Sequence, residues 1–177
     1  MPAEWERHDA TWISWPHHEP DWPGKLEAVR WVYAEIVRVL AQYERVEILC
    51  QNESVRDSAL AMLRSHDVAM QRVNLPIVTT DRVWLRDSGP SFVWDTNGEV
   101  ELVSWDFTAW AKYENYARDR RVPSAIQAAT GLPITEAMRP DDSHRRLVLE
   151  GGGIEVNGQG RILVTEEWLL SDVQVRN

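Results

Sequence analysis

Between Lys25 and Tyr43 apolar side chains fall at Leu26, Val29, Tyr33, Ile36 and Leu40. That spacing predicts an amphipathic helix with one buried face. Short β-prone runs flank it. Ala10 to Trp15 (ATWISW) is aromatic and β-branched and is ended by Pro16, and Val46 to Cys50 (VEILC) alternates as a strand does. Residues 17–24 (HHEPDWPG) hold two prolines and a glycine and read as a turn. A helix that must bury one face beside strands restricts the chain to a layered α/β or α+β arrangement.

The same alternation continues. Ser54 is the expected N-cap of a second helix carrying Val55, Ala59, Met62 and Leu63. Val68 to Val73 and Leu75 to Thr80 read as extended. Ser91 to Trp94 and Val100 to Trp105 are strand-like, separated by the turn DTNGE at residues 95–99. A helix is expected from about Pro123 to Thr130, stopped by Gly131. Leu147 to Glu150, Ile154 to Val156 and Arg161 to Thr165 read as strands with glycine-bearing turns between them. No low-complexity tract or obvious linker interrupts the pattern.

Composition narrows the function classes. A chain of 177 residues is long enough for one domain with a real core. Its net charge of −9 argues against general nucleic-acid binding and against adsorption to anionic membranes, and suits a cationic ligand. The longest run free of charged residues and histidine, Val122 to Thr135, is short and holds Pro123, Gly131 and Pro133, so it does not span a bilayer. The opening MPAEWERHD is charged where a secretory signal needs an apolar segment. Cys50 is the single cysteine, which excludes an internal disulfide and a cysteine zinc cage and makes the cytoplasm the expected compartment. It ends an apolar run and is expected to pack as a small hydrophobe. The histidines show no helical ligand pair, so no metal site is expected. Ten tryptophans against two phenylalanines offer many flat faces to a cation. The chain stops at SDVQVRN, just after Trp168, Leu169 and Leu170, with no closing pattern, which reads as a truncated end.

Two segments carry the densest chemistry. In Asp81 to Pro90 (DRVWLRDSGP), two carboxylates, two arginines and a tryptophan lie within seven residues. One reading is a surface turn, with Arg86 paired to a nearby acid and Trp84 in the core. The other puts Asp87 at a strand end facing a planar cation, with Trp84 as an apolar wall. A carboxylate accepts two parallel N–H bonds from a guanidinium, and that match is geometrically selective. The second segment is Glu150-Gly151-Gly152-Gly153, where Glu150 closes the run Leu147 to Leu149 and the glycines allow close backbone approach. A phosphate-binding loop does not fit, because the glycines lead into the strand-like Ile154 to Val156 and not into a helix. A solvated glutamate on a glycine turn is the other reading.

The motifs WLRDSGP (84–90), EGGGIEVNGQG (150–160) and VTEEWLLS (164–171) resemble the agmatine deiminase family, also described as the Porphyromonas-type peptidyl-arginine deiminase family. The opening EWERHDATWISWPHHEPDWPG and the aromatic stretch FTAWAKYENYARD (107–119) fall where that family has a Trp-rich strand and a Trp-containing loop. The resemblance runs from about Pro2 to Asn177. It implies an α/β fold that is part, about half, of a fivefold pseudosymmetric α/β propeller of the guanidino-group-modifying type, with residues 1–177 as the N-terminal part of a single catalytic domain. It implies hydrolysis of agmatine to N-carbamoylputrescine and ammonia through a covalent thiol intermediate, a step towards putrescine, with no metal or organic cofactor. By resemblance Asp87 grips the guanidinium, Trp84 lines the pocket, and Glu150 binds substrate and acts with a catalytic histidine. That histidine belongs to a His-x-Asp element, which this sequence lacks, and the nucleophilic cysteine lies late in the family's chains. The family often has Cys where Trp168 stands, at a position that is not the nucleophile. The implied partner is a small cationic guanidino compound, with no nucleic acid and no membrane, and with room for a homo-oligomer at full length. Alone, the chain is expected to be inactive as a deiminase and poorly stable. Action on free, methylated or peptidyl arginine is an alternative, as is a non-catalytic half-propeller that binds cationic ligands.

Overall fold

The structure is a computed structural model describing all 177 residues. Its contacts divide the chain into two compact units, Arg7–Leu85 on one side and Met1–Glu6 with Arg86–Asn177 on the other.

The unit Arg7–Leu85 is a parallel three-stranded sheet with two helices. Strand β1 (Ala10–Ser14) pairs in parallel with β2 (Arg45–Leu49), from Ala10 opposite Arg45 to Ser14 opposite Leu49. Parallel pairing needs a crossover, and helix α1 (Leu26–Leu40) supplies it. Helix α2 (Glu53–Ser65) follows, and β3 (Val73–Asn74) adds to the other edge of β2. The core holds Trp15, Ala34, Val37, Ala41, Val46, Ile48, Cys50, Ala59 and Leu63. Trp15 meets Tyr33 edge to face, with ring centroids 6.5 Å apart.

Several local expectations shift. α1 has the expected extent within a few residues, and Tyr33 and Leu40 of its expected face pack against the core, but its fully buried side chains are Ala34 and Val37, while Ile36, like Trp31, Val32 and Val39, is exposed. The helix is apolar on more than one side. The small Ala34 and Ala41 turn inward where they pack closely, and spacing alone could not choose between stripes. The N-cap of α2 is Asn52, not Ser54: the Asn52 side-chain oxygen accepts the Val55 amide at 2.9 Å. Val68 to Val73 contains a single 3₁₀ turn, Met70–Arg72, before the two-residue β3. Leu75 to Thr80 contributes only one parallel bridge, Cys50 to Ile77. Pro76 has no amide proton for a ladder, though its carbonyl accepts the Cys50 amide at 2.9 Å.

Helix α3 (Leu85–Ser88), whose first residue is the last of the unit Arg7–Leu85, is a single helical turn; in the other unit it leads to β4 (Ser91–Trp94). β4 and β5 (Val100–Ser104) form an antiparallel hairpin. Its turn is closed by Asp95, whose Oδ1 accepts the amides of Asn97 and Glu99 at 2.8 Å each. These bonds, with the Glu99 amide foremost, hold the Asp95 carboxyl below the usual range. After the turn α4 (Ala109–Lys112), helix α5 (Val122–Thr130) crosses over to β6 (Ile134–Glu136), which lies parallel to β5. Pro123 sits in the first turn of α5, and Gly131 ends it in the left-handed conformation at φ 71°. β7 (Ile154–Val156) and β8 (Ile162–Val164) form a hairpin before the short α6 (Glu166–Leu170).

Two further expectations are corrected here. Asp87 does not end a strand; it stands in the helical turn α3. Leu147 to Glu150 is not a regular strand. Leu147 gives its amide to Ala137, whereas Leu149 gives its own to Asp106, so the segment bonds two different neighbours and forms only a bridge, Val148 to Asp106. The three sheets have three, three and two strands, and none of them closes on itself. No helix is long and apolar enough to cross a membrane.

Candidate functional site

Asp87 and Glu150 both belong to the unit that contains Arg86–Asn177. Asp87 is half-buried on α3. Its Oδ1 accepts the Gly152 amide at 3.0 Å, and its Oδ2 accepts the Trp110 indole Nε1–H at 3.0 Å. The turn that begins at Glu150 is therefore docked directly on Asp87. Glycine is required for that approach. A Cβ on Gly152 would stand 2.6 Å from Asp87 Oδ1, and one on Gly153 would run into the indole of Trp168. The expected turn at residues 151–153 is present as a single 3₁₀ turn between Glu150 and β7.

Trp110 reaches Asp87 from a strained backbone. Ala109, Trp110 and Ala111 have φ of 47°, 62° and 51°, a left-handed run with no glycine in it. Trp110 is also packed edge to face against Phe107 and Tyr113. Aromatic packing and the bond to Asp87 stand against the cost of that conformation.

Glu150 is 1% exposed. A buried carboxylate is costly unless it is paired and hydrogen-bonded, and two residues near the C-terminal end of the sequence meet that need. Trp168 Nε1 donates to Oε2 at 2.6 Å. Arg176 Nε donates to Oε2 at 2.9 Å and to Oε1 at 3.0 Å, in an ion pair that is itself buried. The Arg176 guanidinium carbon also lies 6.0 Å from the centre of the Trp168 ring. The adjoining segment is fastened by Asn177, whose side chain accepts the Val148 amide at 2.9 Å and donates to the Val148 carbonyl at 3.0 Å.

Trp84 lies in the other unit. It is 42% exposed and its ring is 5.8 Å from that of Trp22, so it is not a core residue. The arginines of the DRVWLRDSGP segment are committed to acids, Arg82 to Asp21 in a buried pair and Arg86 to Glu4. Cys50 is fully buried, and desolvation pushes its thiol up to about 12, far from a thiolate at neutral pH. No group of three or more His, Cys, Asp and Glu side chains is gathered as a metal site would require.

Sequence reasoning did not single out Trp168 or Arg176 as partners of Glu150, nor Trp110 as a partner of Asp87. The cue was the excess of tryptophan, but a count does not say which indole N–H meets which acid.

Over residues 1–177 the chain matches the profile of the Porphyromonas-type peptidyl-arginine deiminase family. It is 33% identical over 176 residues to the agmatine deiminase of Pseudomonas aeruginosa (strain LESB58), a match covering 97% of this chain and 44% of that protein. It is 32% identical to the agmatine deiminase of Ectopseudomonas mendocina, with the same coverage. Among solved structures, the agmatine deiminase of Enterococcus faecalis aligns at a TM-score of 0.81 and 26% identity, over 97% of this chain and 45% of that one. The chain thus spans less than half the length of the relatives it matches.

Proposed function

The chain belongs to the Porphyromonas-type peptidyl-arginine deiminase family, and on that premise we propose that it supplies the guanidinium-binding part of a hydrolase that converts agmatine to N-carbamoylputrescine and ammonia. In this reading, residues 1–177 are the N-terminal part of one catalytic domain, a segment of a fivefold α/β propeller working in the cytoplasm. The names carried by the relatives favour agmatine over arginine. The observation that carries the reading is the hydrogen bond between Asp87 and the Gly152 amide, which ties one candidate carboxylate to the turn that begins with the other.

A guanidinium carbon is resonance-stabilised and a poor electrophile. Asp87, accepting parallel N–H bonds, would orient the group and localise its charge. Glu150, paired with Arg176, would act with the histidine of the reaction in moving the proton to the departing nitrogen. A thiolate attacks that carbon, and the C–N bond breaks as ammonia leaves with a proton from a histidine. Water then resolves the covalent adduct, regenerating the thiol and releasing the ureido product. Cys50 is not that thiol, since it is fully buried and desolvation pushes it up to about 12. No residue of this chain is assigned as that thiol or that histidine.

Calorimetric titration of the chain with agmatine, arginine and an arginyl peptide tests the proposal. Agmatine should bind most tightly, and Asp87→Ala should abolish its heat. The absence of heat at millimolar agmatine would overturn the reading, whereas preference for the arginyl peptide would assign the site to peptidyl arginine.

A further inference from the structure

Asp87 and Glu150 are not equivalent acceptors. We infer that Trp168 and Arg176 are positioning residues that hold Glu150 as an enclosed, oriented carboxylate, leaving the bidentate grip on a guanidinium to Asp87. This deepens the function proposed above and rests on it.

The argument is one of acceptor capacity. A carboxylate offers about four acceptor positions, two on each oxygen. On Glu150, Oε2 is filled by Trp168 Nε1–H at 2.6 Å and Arg176 Nε–H at 2.9 Å, while Oε1 accepts Arg176 alone, at 3.0 Å. One position is left, on one oxygen. On Asp87 each oxygen accepts a single bond, from Gly152 to Oδ1 and from Trp110 to Oδ2, so each oxygen keeps one position. Two parallel N–H bonds from one guanidinium need a free position on both oxygens of the acid. Asp87 meets that condition and Glu150 does not. Their exposure agrees: Asp87 is half-buried, and Glu150 is covered.

The cover on Glu150 is specific in shape. The Trp168 indole lies against Gly153, where any Cβ would strike it, and its N–H points at Oε2. Arg176 neutralises the acid and is seated beside the same ring. Replacements at these two positions should therefore turn or uncover the Glu150 carboxylate, while the two bonds to Asp87 come from Gly152 and Trp110.

Agmatine titration of the 177-residue chain tests the division. Trp168→Phe keeps a ring and removes one N–H, and Arg176→Lys keeps the charge and removes the Nε–H shared by both oxygens. Each should weaken agmatine about fivefold, the loss of a charge-assisted bond felt indirectly. Asp87→Asn should weaken it by roughly a hundredfold or more, as removal of a direct bidentate contact does. Variants at 168 and 176 that bind as the unaltered chain does would overturn the inference. Tighter binding by Arg176→Lys would overturn it too, by showing that Arg176 competes with the ligand. A second readout needs no ligand. The indole ¹⁵N–¹H signal of Trp168, assigned by its absence in Trp168→Phe, should exchange slowly with solvent and move in Glu150→Gln. A rapidly exchanging signal unmoved by that change would reject the clamp. If the unaltered chain gives no heat with agmatine, the proposed function fails while the indole signal still decides whether Trp168 holds Glu150.

Discussion

The unit Arg7–Leu85 buries Trp15, Ile48, Leu63 and Val37 around a parallel sheet, and its lone thiol sits among them as one more apolar group. The unit containing Arg86–Asn177 has a smaller apolar interior, with Leu102, Val122 and Ile126, and it buries two acids, Asp119 and Glu150, with Ser88, Ser91 and Ser104, where the first unit buries Ser14, Thr80 and Arg82. In the first, burial of apolar surface is non-directional and tolerates small shifts. In the second, each enclosed acid or hydroxyl needs a donor or acceptor in one place, so position is set by hydrogen bonds. The candidate carboxylates are both in the second unit, where the surroundings fix direction as well as distance.

This contrast is exposed most strongly by Leu63→Ala. Leu63 is fully buried, and its truncation should cost about 2–5 kcal/mol in urea-induced unfolding, with agmatine affinity of the folded protein unchanged. Gly152→Ala should do the reverse. The new Cβ meets the end of the Asp87 side chain, so stability should change little while agmatine binding weakens about tenfold through the displaced, less well-oriented acid. An unfolding cost at Gly152 as large as that at Leu63 would erase the distinction between the units. Asn52→Ala removes a helix cap distant in sequence from the proposed chemistry and should lower stability by about 1 kcal/mol without altering binding.

The smallest effect concerns pH. Both His17 ring nitrogens face backbone carbonyls, Trp15 at 3.0 Å and Thr80 at 3.3 Å, yet burial outweighs these bonds and lowers the histidine below its ordinary value of 6.5. The unfolded chain then binds the proton more readily than the folded one. Stability should be complete above pH 6.5, fall as the pH drops towards the lowered folded value, and level off below it. Melting temperatures across that range, with His17→Gln flattening the slope, check the sign.

What the sequence made legible follows the same division. The hairpin β4–β5, the Asp95–Glu99 turn and the Gly131 stop were readable because local chemistry dictates each of them. The extent of α1 and the apolar residues of α2 were readable from spacing, and Tyr33 and Leu40 of the expected face of α1 pack on the core, but not the fully buried Ala34 and Val37 or the exposure of Ile36. Leu147 to Glu150 looked like a strand because its residues are apolar; its amides go to two partners far along the chain. Asp87 and Glu150 could be singled out by residue type and neighbouring glycines. Their indole and guanidinium partners could not, since Trp110, Trp168 and Arg176 are separated from them by 23, 18 and 26 residues, and no local pattern encodes such pairs.

The central claim is that Asp87 and Glu150 act on one guanidinium. A double-mutant cycle of Asp87→Asn and Glu150→Gln, read as agmatine affinity, measures it most directly. Two acids serving one bound cation should be coupled by about 1 kcal/mol or more, and effects that add to within about 0.5 kcal/mol would mean that they act at separate places.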